Sequence, residues 1–246
     1  MVQLKERVGQ NPTVDSLEEG IDALARSLNR QHGWQLEAAN ADDYRNNLKD
    51  LLKENNLNAY AAISDRWLQA SPGLESQAYA LVHFIQQNDS AEIKKSFNAL
   101  LSTTPIDPEM RQNLMGLALD YAIKNQIALG ETAQLTEWVK THPTTAANNT
   151  RLMNYFLINN ENQAALSMVE KLLQNDATSF QALSVKVQIL NRNREFAQAQ
   201  DLAEQALGLY PAQPIFYLES GKAMLGLNRP DSSVETLLSG LDLIFD

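Results

Sequence analysis

The sequence predicts an all-α chain, an α-solenoid of antiparallel helix pairs, and three observations carry that expectation. First, stretches of it superimpose without a gap when slid by 34 residues: Ala165, Ala199 and Ser233 share one register, Val169, Ala203 and Leu237 a second, Leu172, Ala206 and Gly240 a third. Phe156, Leu190 and Met224 align upstream, as do Met153, Val187 and Gly221. Second, small residues recur at fixed places in that register, which is what two helices need where their backbones cross closely. Third, every segment with a clear pattern has helical period, and no alternating strand-like run of useful length occurs. A constant period of this size marks stacked copies of one supersecondary unit.

Taken in order, the first expected helix runs over residues 16–31, with Leu17, Ile21, Leu24 and Leu28 on one stripe. Ser16 and Glu19 have capping-box spacing and Gly33 closes the element. This helix falls outside the repeat register, so residues 1–40 form a separate N-terminal segment. Six helix pairs follow over 41–72, 73–105, 107–143, 145–177, 178–211 and 212–246. Each ends at Pro72, Pro105, Pro143, Ala177, Pro211 or Phe245, so the intervals are 33, 38, 34, 34 and 34. The extra residues of the third pair are expected in the linker Thr103–Pro108, where Asp107 before Pro108 reads as an N-cap followed by proline at the first helical position. Turns inside the pairs are expected at Asn55-Asn56, Asn88-Asp89, Asn159-Asn160 and Asn193, because Asn tolerates left-handed geometry.

The residues then carry a family resemblance. The pattern resembles the tetratricopeptide repeat, with bulky residues in the first helix of a pair and small ones in the second. The fifth pair fills the family's places with Leu183, Val187, Leu190, Phe196, Ala199, Ala203, Ala206 and Pro211. The last fills them with Tyr217, Gly221, Met224, Ser233, Leu237 and Gly240. Earlier pairs are more degenerate: Tyr44, Leu48, Leu51, Tyr60 and Trp67, then Leu81, Phe84, Phe97 and Leu100, then Leu119, Ala122, Leu135 and Trp138. In these three the small residue is replaced by Tyr60, Ile93 and Glu131, so the helices there should stand wider apart or shift register. The resemblance implies a right-handed superhelix whose first helices line a concave groove that receives a peptide or a partner protein.

Composition narrows the partner. The 246 residues carry 30 acids against 20 bases, for a formal charge of −10. A ligand rich in phosphates needs clustered Lys and Arg, so nucleic acid and an anionic membrane surface are disfavoured. An RNA-binding helical repeat is disfavoured on the same ground. Cysteine is absent, which removes disulfides, thiolate metal sites and a cysteine nucleophile. That suits a bacterial periplasm, and many cytosolic proteins share it. The start, Met1 to Arg7, has no apolar core of signal-peptide length, and no run is long enough to span a bilayer.

Catalysis finds no support in the motifs. His32, His83 and His142 are far apart with no metal-ligand spacing, and no nucleophile elbow or phosphate-cradling glycine loop occurs. Neither a cofactor nor a metal is expected. His32 reads as a helix-end residue, His83 as packing and His142 as exposed. Trp67 and Trp138 fall at repeat-core places, whereas Trp34 lies outside the register. Asn88-Asp89-Ser90 and Asn148-Asn149-Thr150 match the glycosylation sequon, a short and frequent pattern.

A binding surface is expected on the first helices, where Asn154, Gln188 and Lys222 recur at 34-residue spacing. Thr150 and Ser184 lie one turn away, and Arg151, Gln181 and Arg192 on the flank. A polar ladder that hydrogen-bonds a partner's backbone is one reading; a solvated helix face is the other. The family's carboxylate clamp is not reproduced, since Thr150 and Ser184 stand where its lysine belongs. The expected function is a non-catalytic protein–protein interaction scaffold. The alternative is a helical accessory domain of a larger bacterial envelope-biogenesis, transport or enzyme complex. The last pair ends without a capping helix, which leaves excision from a longer repeat protein or self-association through the C-terminal helix.

Overall fold

A local device, repeated six times, sets the spacing of the helices. The first helix of each pair ends on a residue in the left-handed region: Asn55, Asn88, Gln126, Asn160, Arg194 and Asn228, with φ between 54° and 64°. The residue after it donates its N–H to the carbonyl five residues back: Asn56 to Leu51, Asp89 to Phe84, Ile127 to Ala122, Glu161 to Phe156, Glu195 to Leu190 and Arg229 to Met224, at 2.8–3.1 Å. This Schellman closure satisfies carbonyls that a helix end would otherwise orphan, and it turns the chain back. The left-handed residues are spaced by 33, 38, 34, 34 and 34.

The computed structural model describes residues 40–103 and 106–245, which hold thirteen helices and no strand. The helix expected over residues 16–31 lies outside the described residues. The chain divides into two compact units, Met1–Pro105 and Ile106–Asp246. Within each, every substantial helix–helix contact joins sequence neighbours or next-but-one helices, the contact pattern of a helical-repeat stack.

The first unit holds α1 (Ala41–Lys53), α2 (Leu57–Ala70), α3 (Leu74–Tyr79), α4 (Leu81–Gln87) and α5 (Ser90–Ser102). Asn40 caps α1 by accepting from the Asp43 N–H at 3.1 Å, with Asp42 and Asp43 in the first turn, where negative charge suits the dipole. Trp67 is buried, stacked on Tyr44 at 5.3 Å and tilted against Tyr79 at 5.0 Å. Arg45 of α1 grips Glu75 of α3 with two nitrogens at 2.6 and 2.7 Å. Tyr60 and Ile93, which replace the small residue of later pairs, are both fully buried. Fully buried Ser64 and Ser96 follow four and three positions on.

The second unit holds α6 (Pro108–Asn125), α7 (Thr132–Thr141), α8 (Ala146–Ile158), α9 (Asn162–Asn175), α10 (Phe180–Arg192), α11 (Phe196–Leu209), α12 (Pro214–Gly226) and α13 (Pro230–Phe245). Asp107 caps α6 by accepting from Met110 N–H at 3.0 Å, with Pro108 at the first helical position, as the sequence leads one to expect. The extra residues of the third pair are elsewhere than expected. The starts of α3 and α6, Leu74 and Pro108, are 34 apart, whereas those of α6 and α8, Pro108 and Ala146, are 38 apart. The excess lies inside α6, which has 18 residues against 13 in α8, rather than in the Thr103–Pro108 linker. Four residues make about one helical turn, so the lengthening keeps the same side facing the core. Glu131 is the exposed N-cap of α7, and the first buried residue of that helix comes one turn later at Leu135.

The recurring small residues sit where two helices touch. Ala165, Ala199 and Ser233 are fully buried, and the Ser233 hydroxyl donates to the Gly221 carbonyl at 2.8 Å. A Cβ on Gly221 would fall 2.6 Å from Leu237 Cγ, and one on Gly240 would fall 2.5 Å from Tyr217 Cβ. The core between α10, α11 and α12 is Val187, Leu190, Ala199, Ala203 and Ala223, continued by Leu183, Ala206 and Phe216. Asn148 of the second sequon is buried, and its amide nitrogen is spent on the carbonyl and side-chain oxygens of Gln112, both at 2.8 Å.

Candidate functional site

The eight polar residues singled out on first helices separate once folded. Gln188 and Arg192 of α10 and Lys222 of α12 line one recess of about 250 Å³, together with Asn191, Phe196 and Glu219. The other five do not line it. Arg151 is engaged by Asp120 at 2.8 Å and by Asn148 at 3.3 Å. Ser184 is buried, with its hydroxyl turned onto the Gln181 carbonyl of its own helix at 3.0 Å. Gln181 is exposed, and Thr150 and Asn154 are half-buried on α8.

The recess is built around a buried acid. Glu219 is only 3% exposed, and an isolated carboxylate could not be held there. It is paired on both oxygens: Lys222 Nζ donates to Oε1 at 2.7 Å, and Asn191 Nδ2 donates to Oε2 at 2.9 Å. The same Asn191 nitrogen also donates to the Glu219 backbone carbonyl at 2.8 Å, tying α10 to α12. The Asn191 Oδ1 is buried without a partner among the described residues. Phe196, the first residue of α11, forms an apolar wall, its ring resting on Gly226 so closely that a Cβ there would meet ring carbons at 2.4–2.5 Å.

At the mouth the balance of free groups is cationic although the chain is acidic overall. Arg192 is exposed, and neither it nor half-buried Gln188 has a hydrogen-bond or ion-pair partner among the described residues. The recess therefore presents a free guanidinium, a free amide and an aromatic wall. That set can hold a peptide group by hydrogen bonds and an acidic or apolar side chain beside it. Asn191 and Glu219 complete the site without having been singled out by the repeat pattern, whereas Phe196 stood in that pattern as a packing place of the fifth pair. The available signal was an acid three residues before Lys222 in an otherwise apolar helix.

The histidines and tryptophans take structural places. His83 meets Phe84 edge-on and lies 3.7 Å from Asp65. His142 is exposed, as expected, and also stacks on Trp138 at 4.4 Å with Nδ1 3.0 Å from the Trp138 carbonyl. Trp67 and Trp138 are buried, at 3% and 8% exposed, while His32 and Trp34 lie outside the described residues. Among the described residues no group of three His, Asp or Glu side chains is arranged to hold a metal, and no helix is long and apolar enough to cross a membrane.

No protein-family model matches the sequence, and no curated protein sequence does either. Among solved structures, the chain is similar to one described as the crystal structure of MamA protein, at 13% identity and a TM-score of 0.43. That match spans 81% of this chain and 89% of the other. A likeness so loose supports neither a fold nor a function on its own; the helical-repeat architecture rests on the helix pairs and turns described above.

Proposed function

We propose that this chain is a non-catalytic protein-interaction scaffold of tetratricopeptide-like helix pairs, which receives a peptide or partner segment on its first helices. The observation that carries the reading is the recess between α10 and α12, where Gln188 and Arg192 stand beside Phe196 without partners among the described residues. No other described residue uses these groups, whereas Lys222 and Asn191 are committed to Glu219. The partner's segment lies across α10 and α12, its backbone on Gln188 and an acidic side chain on Arg192. Docking of this kind in an open recess corresponds to a Kd of about 1 μM, or about −8 kcal/mol.

The test is crosslinking in the source cell followed by mass spectrometry, with wild type compared to Gln188→Ala/Arg192→Ala. These two are preferred to Lys222→Ala, because removing Lys222 would strand a buried carboxylate and unsettle the fold. Loss of a defined crosslinked protein in the double variant, with an unchanged melting curve, supports the reading. An identical set of crosslinks removes the recess from consideration.

A further inference from the structure

The outer side of the last helix pair carries an unusual concentration of exposed apolar side chains. Val234, Leu238 and Leu241 are 54%, 54% and 47% exposed, and their spacing puts them on one stripe of α13. Leu218 and Leu225 of α12, seven apart on one face, are 41% and 54% exposed. The repeat provides its own control. Slid back by 34 residues, Val234 and Leu238 become Gln200 and Glu204, which are polar and hydrogen-bonded to each other at 2.8 Å. Leu225 and Leu241 become Asn191, which α12 holds through Glu219, and Leu207, which packs against the Phe216 core. The last pair thus carries apolar groups both where its predecessor is covered by a helix and where its predecessor faces water.

The charge around the stripe selects the occupant. Asp231, Glu235 and Asp242 run along α13, and Glu235 and Asp242 each lie one residue beyond a stripe leucine or valine. The helix has no Lys or Arg, and none of these three carboxylates has an ion-pair partner among the described residues. Two copies joined through this face would bring acidic edges together in chains of formal charge −10. Stacked head to tail, a second copy's α1 would offer Asp42 and Asp43 at the turn-counted places where α12 brings Ile215 and Phe216. We propose that the α12–α13 face docks an amphipathic helix of a partner protein, with an apolar stripe bordered by Lys or Arg.

The probes are two synthetic amphipathic helices with one leucine stripe, flanked by lysine in one and by glutamate in the other. Fluorescence anisotropy against the full chain should show the lysine-flanked peptide binding at least tenfold tighter, and more weakly as salt rises. Leu238→Asp/Leu241→Asp should weaken that peptide at least tenfold. Non-specific attraction to an acidic protein would instead strengthen, because the variant is more negative. Glu235→Lys/Asp242→Lys, at exposed positions, should abolish or reverse the preference between the peptides. Equal binding of both, or binding indifferent to the leucine variant, overturns the proposal. So does sedimentation velocity showing a reversible dimer that the leucine variant disrupts, since the occupant is then a second copy.

Discussion

The crossing of α12 and α13 allows a worked test of the packing argument. In Gly240→Ala the new Cβ would lie 2.5 Å from Tyr217 Cβ and 3.1 Å from its Cγ. Ordinary contact between such carbons is about 3.5–4.0 Å. A Cβ is fixed to its own backbone, so no rotamer of Tyr217 relieves the clash, and the two helices must separate by about 1 Å. Overpacking of this kind costs about 1–3 kcal/mol, while replacing a helical glycine by alanine recovers about 1 kcal/mol. The expected net loss is about 1 kcal/mol. Gly208→Ala is the control, because that glycine is exposed in α11 and a Cβ there meets nothing within 4 Å. It should gain up to about 1 kcal/mol. Urea denaturation of both variants, read as midpoint shifts at unchanged slope, isolates the crossing term as their difference. If Gly240→Ala is stabilised as much as Gly208→Ala, the close approach of these helices is not what the register of small residues serves.

Arg194 holds φ 64°, a conformation that costs a residue with a Cβ about 1 kcal/mol relative to glycine, so Arg194→Gly should raise Tm by about 2–4 °C in a thermal melt. Ala199→Leu should overpack a fully buried site and lower stability by about 1–3 kcal/mol in the same urea assay. Burial holds the Tyr60 hydroxyl protonated well above its ordinary value near 10. Its folded-state pKa is therefore the higher one. Its stabilising contribution is intact below pH 10 and drains away above it, by about 1.4 kcal/mol per pH unit. Since that hydroxyl also has no hydrogen-bond partner among the described residues, Tyr60→Phe should be at least as stable as wild type at pH 7 and should flatten the alkaline decline in a pH series of melts.

What could be read from the chain alone was whatever a single side chain announces. Asn55, Asn88 and Asn160 betray their turns because Asn accepts left-handed geometry; at the fifth pair Asn193 marks the turn but stays right-handed, the left-handed residue being the next one, Arg194, and Gln126 adopts that geometry with no such signature. The added turn of α6 stayed hidden because buried Met110 and Gly116 widen the band of Leu114, Met115, Ala118, Leu119 and Ala122 to more than half the helix circumference, which blurs the stripe that would have located it. The period itself led to Gln188 and Lys222. Asn191 and Glu219 could not be found that way, because their bond joins residues 28 apart on separate helices and only folding sets its geometry.

The restriction of contacts to adjacent and next-but-one helices within each unit has a mechanical corollary. Pulled from its ends, such a molecule yields by peeling rather than by shearing one cooperative interface, since each pair leans only on its neighbours. A released pair of 34 residues pays out about 110–120 Å of extended chain. A force trace of the second unit would then read as a staircase of similar steps, with a taller tread where α6 carries its surplus turn.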